Sequence, residues 1–73
     1  KAGLMHISGG KGCAVVHHFL PKSAEIRIYD RSGRLAGRQR NAPALSSITL
    51  PAGIYVVAVS ASGQVYREKV LVR

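Results

Sequence analysis

Glycine recurs at turn positions through the second half of this 73-residue chain, and the spacing limits what the chain can fold into. Asp30-Arg31-Ser32-Gly33 has Asp at the first turn position and Gly at the fourth, as type I turns prefer. We expect Asp30 to accept hydrogen bonds from nearby backbone amides and Gly33 to take a positive φ. Leu50-Pro51-Ala52-Gly53 and Ser60-Ala61-Ser62-Gly63 repeat this spacing. Three such turns with short strands between them predict an antiparallel all-β domain of hairpins.

Apolar and polar residues alternate between these turns, as in strands with one buried face. Ile26 and Ile28 share one face of a predicted strand, opposite Arg27. The run Ile54 to Val59 is apolar on both faces, which predicts a central strand between two packed layers. In the last predicted strand, the buried side consists of Tyr66, Val70 and Val72.

The first half of the chain is less regular. Further strand candidates, with a loose turn at Gly9 to Gly12 and a separator at Pro21 to Ser23, are Leu4 to Ser8, Cys13 to Leu20, Gly33 to Gln39 and Leu45 to Leu50. About seven short strands predict one domain over residues 1–73, a small immunoglobulin-like antiparallel β-sandwich. A small barrel is the alternative. Because the chain starts at Lys1 rather than Met, we expect a piece of a longer protein, trimmed at the front.

The chain is strongly basic. Eleven Lys and Arg residues against three acidic residues give a net charge of +8. This excess indicates an acidic partner such as nucleic acid, anionic lipid or polysaccharide, or otherwise a solvated β-surface. The basic residues are spread along the sequence without an aromatic platform among them, so nucleic acid is not the expected partner.

Few residues could carry chemistry. Cys13 is expected to be a small buried hydrophobe rather than a nucleophile. His17 and His18 point to opposite faces of a strand and cannot chelate one ion, although His6 could approach either across a sheet. The Gly9 to Gly12 turn lacks the spacing and the following helix of a phosphate loop. With no paired carboxylates or nucleophile elbow in the sequence, we predict neither an enzyme nor a bound cofactor.

Three segments in order resemble one known family, the C-terminal sorting domain (type A) of the type IX secretion system of Bacteroidetes. Ile26-Arg-Ile-Tyr-Asp-Arg-Ser-Gly-Arg-Leu35 is similar to the family's "V-x-I-Y-D-x-x-G-R-x-V" segment. Leu50-Pro-Ala-Gly-Ile-Tyr-Val-Val-Ala-Val59 matches "L-P-x-G-x-Y-x-V-x-V", and Lys69-Val-Leu-Val-Arg73 matches the terminal "K-V-x-V-[KR]". The resemblance covers residues 24–73. The family's opening "P-N-P" element is absent from this sequence.

The resemblance implies a non-catalytic immunoglobulin-like module that directs an upstream cargo across the outer membrane. Its implied partners are the type IX translocon and a surface sortase, which removes the module and attaches the cargo to anionic lipopolysaccharide. The implied location is the periplasm in transit, then the outer membrane, the cell surface or the medium. The recognition residues implied by position are Tyr29, Asp30, Gly33, Arg34, Pro51, Gly53, Tyr55, Lys69, Val70, Val72 and Arg73. A terminal strand at a sheet edge is expected to add contacts by β-augmentation.

Two alternatives belong to other functional classes. A stand-alone surface β-module would bind an anionic glycan or lipid in a salt-sensitive way, through Arg27, Arg38 and Arg67. An exposed edge strand would instead support self-association. Under the sorting hypothesis, the first half is mainly structural support and the second half carries the signal.

Overall fold

The computed structural model describes residues 5–19, 24–61 and 63–73, and these residues form seven β-strands without a helix. The predicted strand number is confirmed. Leu4, Leu20, the Pro21 to Ser23 separator and Ser62 lie outside the described residues. No helix in the described ranges is long and apolar enough to cross a membrane. In chain order the strands are β1 (Met5–Gly9), β2 (Cys13–His18), β3 (Glu25–Tyr29), β4 (Leu35–Gln39), β5 (Leu45–Thr49), β6 (Gly53–Ala61) and β7 (Gln64–Val72).

The strands form two antiparallel sheets that pack face to face. One sheet has three strands in the order β1-β2-β5, and the other has four in the order β4-β3-β6-β7. After β4 the chain leaves the four-stranded sheet, and β5 pairs with β2 in the other sheet. The chain then returns, and β6 pairs with β3. This order is that of a Greek-key sandwich. The predicted small immunoglobulin-like β-sandwich is therefore confirmed.

The core lies between the sheets and follows the alternation of the sequence. Ile26 and Ile28 are fully buried, whereas Arg27 between them is exposed. Val70 and Val72 of β7 are also buried, opposite the exposed side chains of Lys69 and neighbouring odd-numbered residues. The other large side chains with almost no exposure are Val16, His18, Val57 and Val59. Alternation thus assigned the buried faces of these strands correctly.

Strand β6 is central in its sheet, as predicted, but it is not covered by a layer on both faces. Ile54 is 42% exposed and Val56 is half-buried. Ala58 is only 9% exposed, because its register partners are Arg27 on β3 and Arg67 on β7. Long neighbouring side chains can cover a small residue in this way while their charged ends stay in water.

Two predicted turns differ from the observed ones. Leu50 to Gly53 does not close a hairpin, because β5 and β6 belong to different sheets and the segment crosses between them. The β6–β7 hairpin pairs out to Ala61 and Gln64, so its turn lies one residue later than predicted. Gly63 has φ 78° there. A positive φ near the end of a two-residue hairpin loop is the conformation that glycine accepts without a steric penalty.

Gly9 to Gly12, which we call the glycine loop, is bonded to the end of the last strand. The amide of Arg73 donates to the carbonyl oxygen of Gly10 at 2.9 Å, and the amide of Gly12 donates to the Arg73 carbonyl oxygen at 2.7 Å. The amide and the carbonyl of Arg73 thus bond to the two residues that flank Lys11. This is the hydrogen-bond pattern of a parallel β-bridge between Arg73 and Lys11. The loop therefore ties β7 to the first hairpin.

Candidate functional site

The three segments that carry the family resemblance lie at one end of the four-stranded sheet. Strand register places Tyr29 next to Val56, and Val56 next to Lys69. One step further along, Tyr55 lies opposite Val70, and Gly53 lies opposite Val72. We call this region, formed by residues 29–34, 51–55 and 69–73, the turn end of the sheet. All the predicted recognition residues are within it.

Asp30 organises the β3–β4 turn as predicted. Its Oδ1 accepts hydrogen bonds from the Ser32 hydroxyl at 2.6 Å, the Ser32 amide at 2.9 Å and the Arg34 amide at 3.0 Å. The Gly33 amide donates to the Asp30 carbonyl oxygen at 3.0 Å, and Gly33 has φ 88°. These hydrogen bonds lower the pKa of Asp30, and the one from the Ser32 hydroxyl contributes most, followed by the one from the Arg34 amide. The carboxylate is thus used to fix the turn.

Tyr55 stabilises the segment between β5 and β6 that crosses from one sheet to the other. Its hydroxyl donates to the carbonyl oxygen of Pro51 at 2.7 Å, and its ring lies over Gly53, where a Cβ atom would come within 3.5 Å of the ring. A tyrosine near the start of this strand, bonded to backbone a few residues upstream, is the tyrosine corner of immunoglobulin-like sandwiches. The spacing of Pro51, Gly53 and Tyr55 therefore has a role in folding.

Burial divides the predicted recognition residues into three groups. Tyr55, Val70 and Val72 are core residues. Tyr29, Asp30 and Gly53 are half-buried. The exposed residues, which a partner could contact directly, are Gly33, Arg34, Pro51, Lys69 and Arg73. The buried group can act in recognition only by holding the exposed group in place.

A shallow open depression of about 280 Å³ lies at the turn end, between residues 30–32 and 52–55. Arg31 and Arg34 are exposed on its turn, whereas the only acid there, Asp30, is bonded within the turn. Small-molecule sites usually enclose most of their ligand. The open shape and basic side chains are suited to a broad surface contact instead.

An exposed apolar pair that the sequence pattern does not predict lies beside this depression. Ile54 on β6 lies opposite Leu71 on β7, and the two are 42% and 57% exposed. Leu71 has the same parity in the strand as Arg67 and Lys69, so alternation predicts it on the charged face of β7. The pairing with Ile54 could not be found from the sequence, because it depends on strand register.

A row of arginines crosses the outer face of the same sheet. Arg38 lies opposite Arg27, Arg27 opposite Ala58, and Ala58 opposite Arg67. Glu25 accepts from the Nε atoms of Arg27 at 3.1 Å and Arg38 at 2.8 Å, and these bonds, led by that of Arg27, lower the pKa of Glu25. Within the described ranges Arg67 has no acidic partner.

The outer face of the three-stranded sheet has a different character. His6 on β1 lies opposite His17 on β2, and both are exposed. His18, as predicted for a neighbour on the other face, is buried, with its Nε2 3.2 Å from the carbonyl oxygen of Ala42. No cluster of three or more metal-ligating side chains occurs within residues 5–19, 24–61 and 63–73.

Comparison with known proteins adds no family assignment. No protein-family model matches the chain, and no curated protein matches it.

Proposed function

We propose that this chain is a non-catalytic sorting domain that directs an upstream cargo across the outer membrane by the type IX secretion system. In this proposal the module is recognised in folded form by the translocon and is then removed by a surface sortase, which attaches the cargo to anionic lipopolysaccharide. The chain would pass through the periplasm and reach the outer membrane, the cell surface or the medium.

One observation carries the proposal. The three resembling segments are far apart in sequence but adjacent in space, because β3, β6 and β7 are neighbours in one sheet and their register brings residues 29–34, 51–55 and 69–73 to the same end. A surface assembled from separated segments exists only in the folded domain. This arrangement supports recognition of a folded signal rather than of a linear peptide.

The rigidity of the turn end also supports the proposal. The Asp30 carboxylate accepts three hydrogen bonds within its turn, and the Tyr55 hydroxyl donates one to the Pro51 carbonyl oxygen in the segment that crosses between the sheets. A preorganised surface loses less conformational entropy when a partner binds. Arg34, Lys69 and Leu71 are therefore presented on a fixed backbone.

Strand β7 offers a way to extend the contact. It is an edge strand, and Arg73 directs its amide and carbonyl away from β6 into the glycine loop. Since alternate residues of a strand direct these groups to the same side, Arg67 and Lys69 also direct theirs outward. No described residue makes a backbone hydrogen bond to that side of Arg67 or Lys69. β-Augmentation would therefore use the middle of β7, where self-association by the edge strand could also occur.

The export test fuses residues 1–73 to a neutral reporter with a signal peptide, in a Bacteroidetes strain with an active type IX system. We expect the reporter on the cell surface or in the medium, and in the periplasm of a strain without the translocon. Retention in the periplasm of both strains would contradict the proposal. Deleting Lys69 to Arg73 should also block export, but it removes the buried Val70 and Val72 and so disrupts the fold as well.

Exposed substitutions separate recognition from folding. Lys69→Ala combined with Leu71→Ala changes two exposed side chains at the turn end. We expect the reporter fused to this double variant to stay in the periplasm, although the circular dichroism spectrum and the Tm of the domain are unchanged. Ser47→Ala combined with Thr49→Ala, on exposed positions of the other sheet, is the matched control and should be exported normally.

A second candidate function, binding of an anionic glycan or lipid surface, is favoured by the arginine row. Adjacent strands lie about 4.8 Å apart, so Arg38 and Arg27 are neighbours and Arg67 follows about 10 Å from Arg27. The chain has a net charge of +8, and Glu25 is the one acidic side chain in ion pairs with this row among the described residues. A row of like charges at one face is suited to a polyanion.

Heparin affinity tests this second function. We expect elution at moderate salt, with Arg67→Ala eluting earliest among the single variants because Arg67 is not neutralised by Glu25. Since exposed charge interactions are screened, the retention should fall steeply with ionic strength. Equal retention of wild type and Arg27→Ala, Arg38→Ala and Arg67→Ala would contradict it. Normal export of these three variants would leave the sorting proposal intact.

A further inference from the structure

Two exposed histidines stand directly opposite each other on adjacent antiparallel strands. His6 of β1 and His17 of β2 are register partners and therefore share the outer face of the three-stranded sheet. Cβ atoms at such positions lie about 4.5–5.5 Å apart. We infer that His6 and His17 form a surface site for a divalent transition metal ion of the class that imidazole binds, such as Zn²⁺, Ni²⁺ or Cu²⁺.

The geometry distinguishes this pair from the adjacent histidines in the sequence. His17 and His18 lie on opposite faces of β2, and His18 is buried near the Ala42 carbonyl oxygen. His6 and His17 instead point the same way from neighbouring strands, so both rings can turn one nitrogen toward a shared ion. The Phe19 ring lies 5.0 Å from the His17 ring at an interplanar angle of 53°. This contact limits the orientations of His17 and so lowers the entropy lost on binding an ion.

The charge distribution makes this face accessible to a cation. A chain with a net charge of +8 repels metal ions in general. Among the described residues, the strand positions on the outer face of the three-stranded sheet include no Lys or Arg, in contrast to the arginine row on the other sheet. The side chains on this face, from strand register, are His6, Ser8, Cys13, Val15, His17, Leu45, Ser47 and Thr49.

Two imidazoles leave most of the coordination sphere to water. A structural zinc site normally has four protein ligands, so this pair would hold an exchangeable ion rather than stabilise the fold. Its affinities should follow the usual order for nitrogen ligands, with Cu²⁺ bound more tightly than Ni²⁺ or Zn²⁺.

The test is a titration of the 73-residue chain with ZnCl₂ and NiCl₂, followed by calorimetry and by NMR of the histidine ring signals. We expect the signals of His6 and His17 to respond while that of His18 does not. His6→Ala and His17→Ala should each weaken binding by roughly tenfold or more, because each removes one of two ligands. Thr49→Ala, an exposed change on the same face, should bind like the wild type.

A gain of affinity provides the second arm. Leu45 on β5 is the register partner of His17 and is 64% exposed, so Leu45→His places a third imidazole in the same row. We expect it to bind roughly tenfold more tightly or better. Equal affinities of the wild type and the His6→Ala/His17→Ala double variant would overturn the inference, as would an unchanged affinity in Leu45→His. All these positions are exposed, and Tm without metal verifies that each variant is folded.

Discussion

The amide of Arg73 donates a hydrogen bond to the carbonyl oxygen of Gly10 at 2.9 Å, and this bond joins the last strand to the first hairpin. Gly12 returns a bond to Arg73 and accepts one from the amide of Leu50 at 3.0 Å. The glycine loop therefore contacts two of the three segments that carry the family resemblance. The first half of the chain positions the end of β7 directly, in addition to supplying two strands of the three-stranded sheet.

Gly9→Ala should destabilise the domain, because a Cβ atom on Gly9 would overlap the backbone carbonyl of Leu71. Forcing an extra carbon into a packed site costs about 1–3 kcal/mol of the free energy of unfolding. Urea denaturation measures the loss. Gly10→Ala is the matched control, since the nearest atom to its Cβ is the Cys13 Sγ at 3.3 Å, a side chain that can move. Equal losses in the two variants would contradict the close approach of β1 and β7.

Tyr55→Phe should cost about 1 kcal/mol of the free energy of unfolding, the usual contribution of one hydrogen bond. The change removes the bond from the Tyr55 hydroxyl to the Pro51 carbonyl oxygen and leaves the buried ring in place. Tyr66→Phe is the control, because the half-buried Tyr66 makes no side-chain hydrogen bond to any described residue. Chemical denaturation of both variants compares them, and an effect no larger in Tyr55→Phe would count against the tyrosine corner.

Ile28→Ala should be severe. Ile28 is fully buried between the sheets, and truncation of such a residue costs about 2–5 kcal/mol. A domain this small has only a thin core, so we expect a large fraction of the molecules to be unfolded at room temperature. Leu71, by contrast, is 57% exposed, and Leu71→Ala should change the free energy of unfolding by less than about 0.5 kcal/mol. Thermal melts followed by circular dichroism distinguish these outcomes.

Asp30→Asn should show a pH-dependent loss of stability. The bonds from the Ser32 hydroxyl and the Arg34 amide lower the pKa of Asp30 from its usual 3.8. Because folding lowers this pKa, the carboxylate stabilises the fold fully above its unfolded pKa, and this stabilisation is lost as the pH falls through the lower folded value. The wild type should therefore exceed Asp30→Asn in Tm near neutral pH, and the gap should close below 3.8.

Melting curves of both proteins between about pH 6 and about pH 2 give that gap. Glu25 also has a lowered pKa, so its protonation in the same acid range removes the same stabilisation from both proteins, and the difference between them isolates Asp30. A gap that stays constant with pH would show that Asp30 stabilises the turn without its charge.

Alternation and turn residues were sufficient to predict the strand number, the Asp30 turn and the buried faces of β3 and β7, but not the open face of β6. They could not predict which strands pair, because a strand pattern defines its two faces but not its neighbour. For this reason the sequence predicts a hairpin turn at Leu50 to Gly53, although this segment crosses between the sheets. The Ile54–Leu71 pair also depends on register, and so does the pairing of His6 with His17 rather than with His18.

The sequence predicts which segments form the candidate surface more completely than it predicts which of their side chains are exposed to a partner. The resemblance selected residues that the fold brings to one end of one sheet, yet Tyr55, Val70 and Val72 are core residues. A sequence motif does not separate the residues that build a turn from the residues that a partner would contact, because the surface depends on both. Burial separates them and leaves Arg34, Lys69 and Arg73 as the exposed basic side chains.

The bonds between the glycine loop and Arg73 also bear on the order of folding. They join positions almost the whole described length of the chain apart, and closing so long a loop is entropically costly until the intervening strands have paired. We therefore expect this junction to form last and to open first. A partner that binds only when this junction is formed would therefore bind only domains that have folded completely.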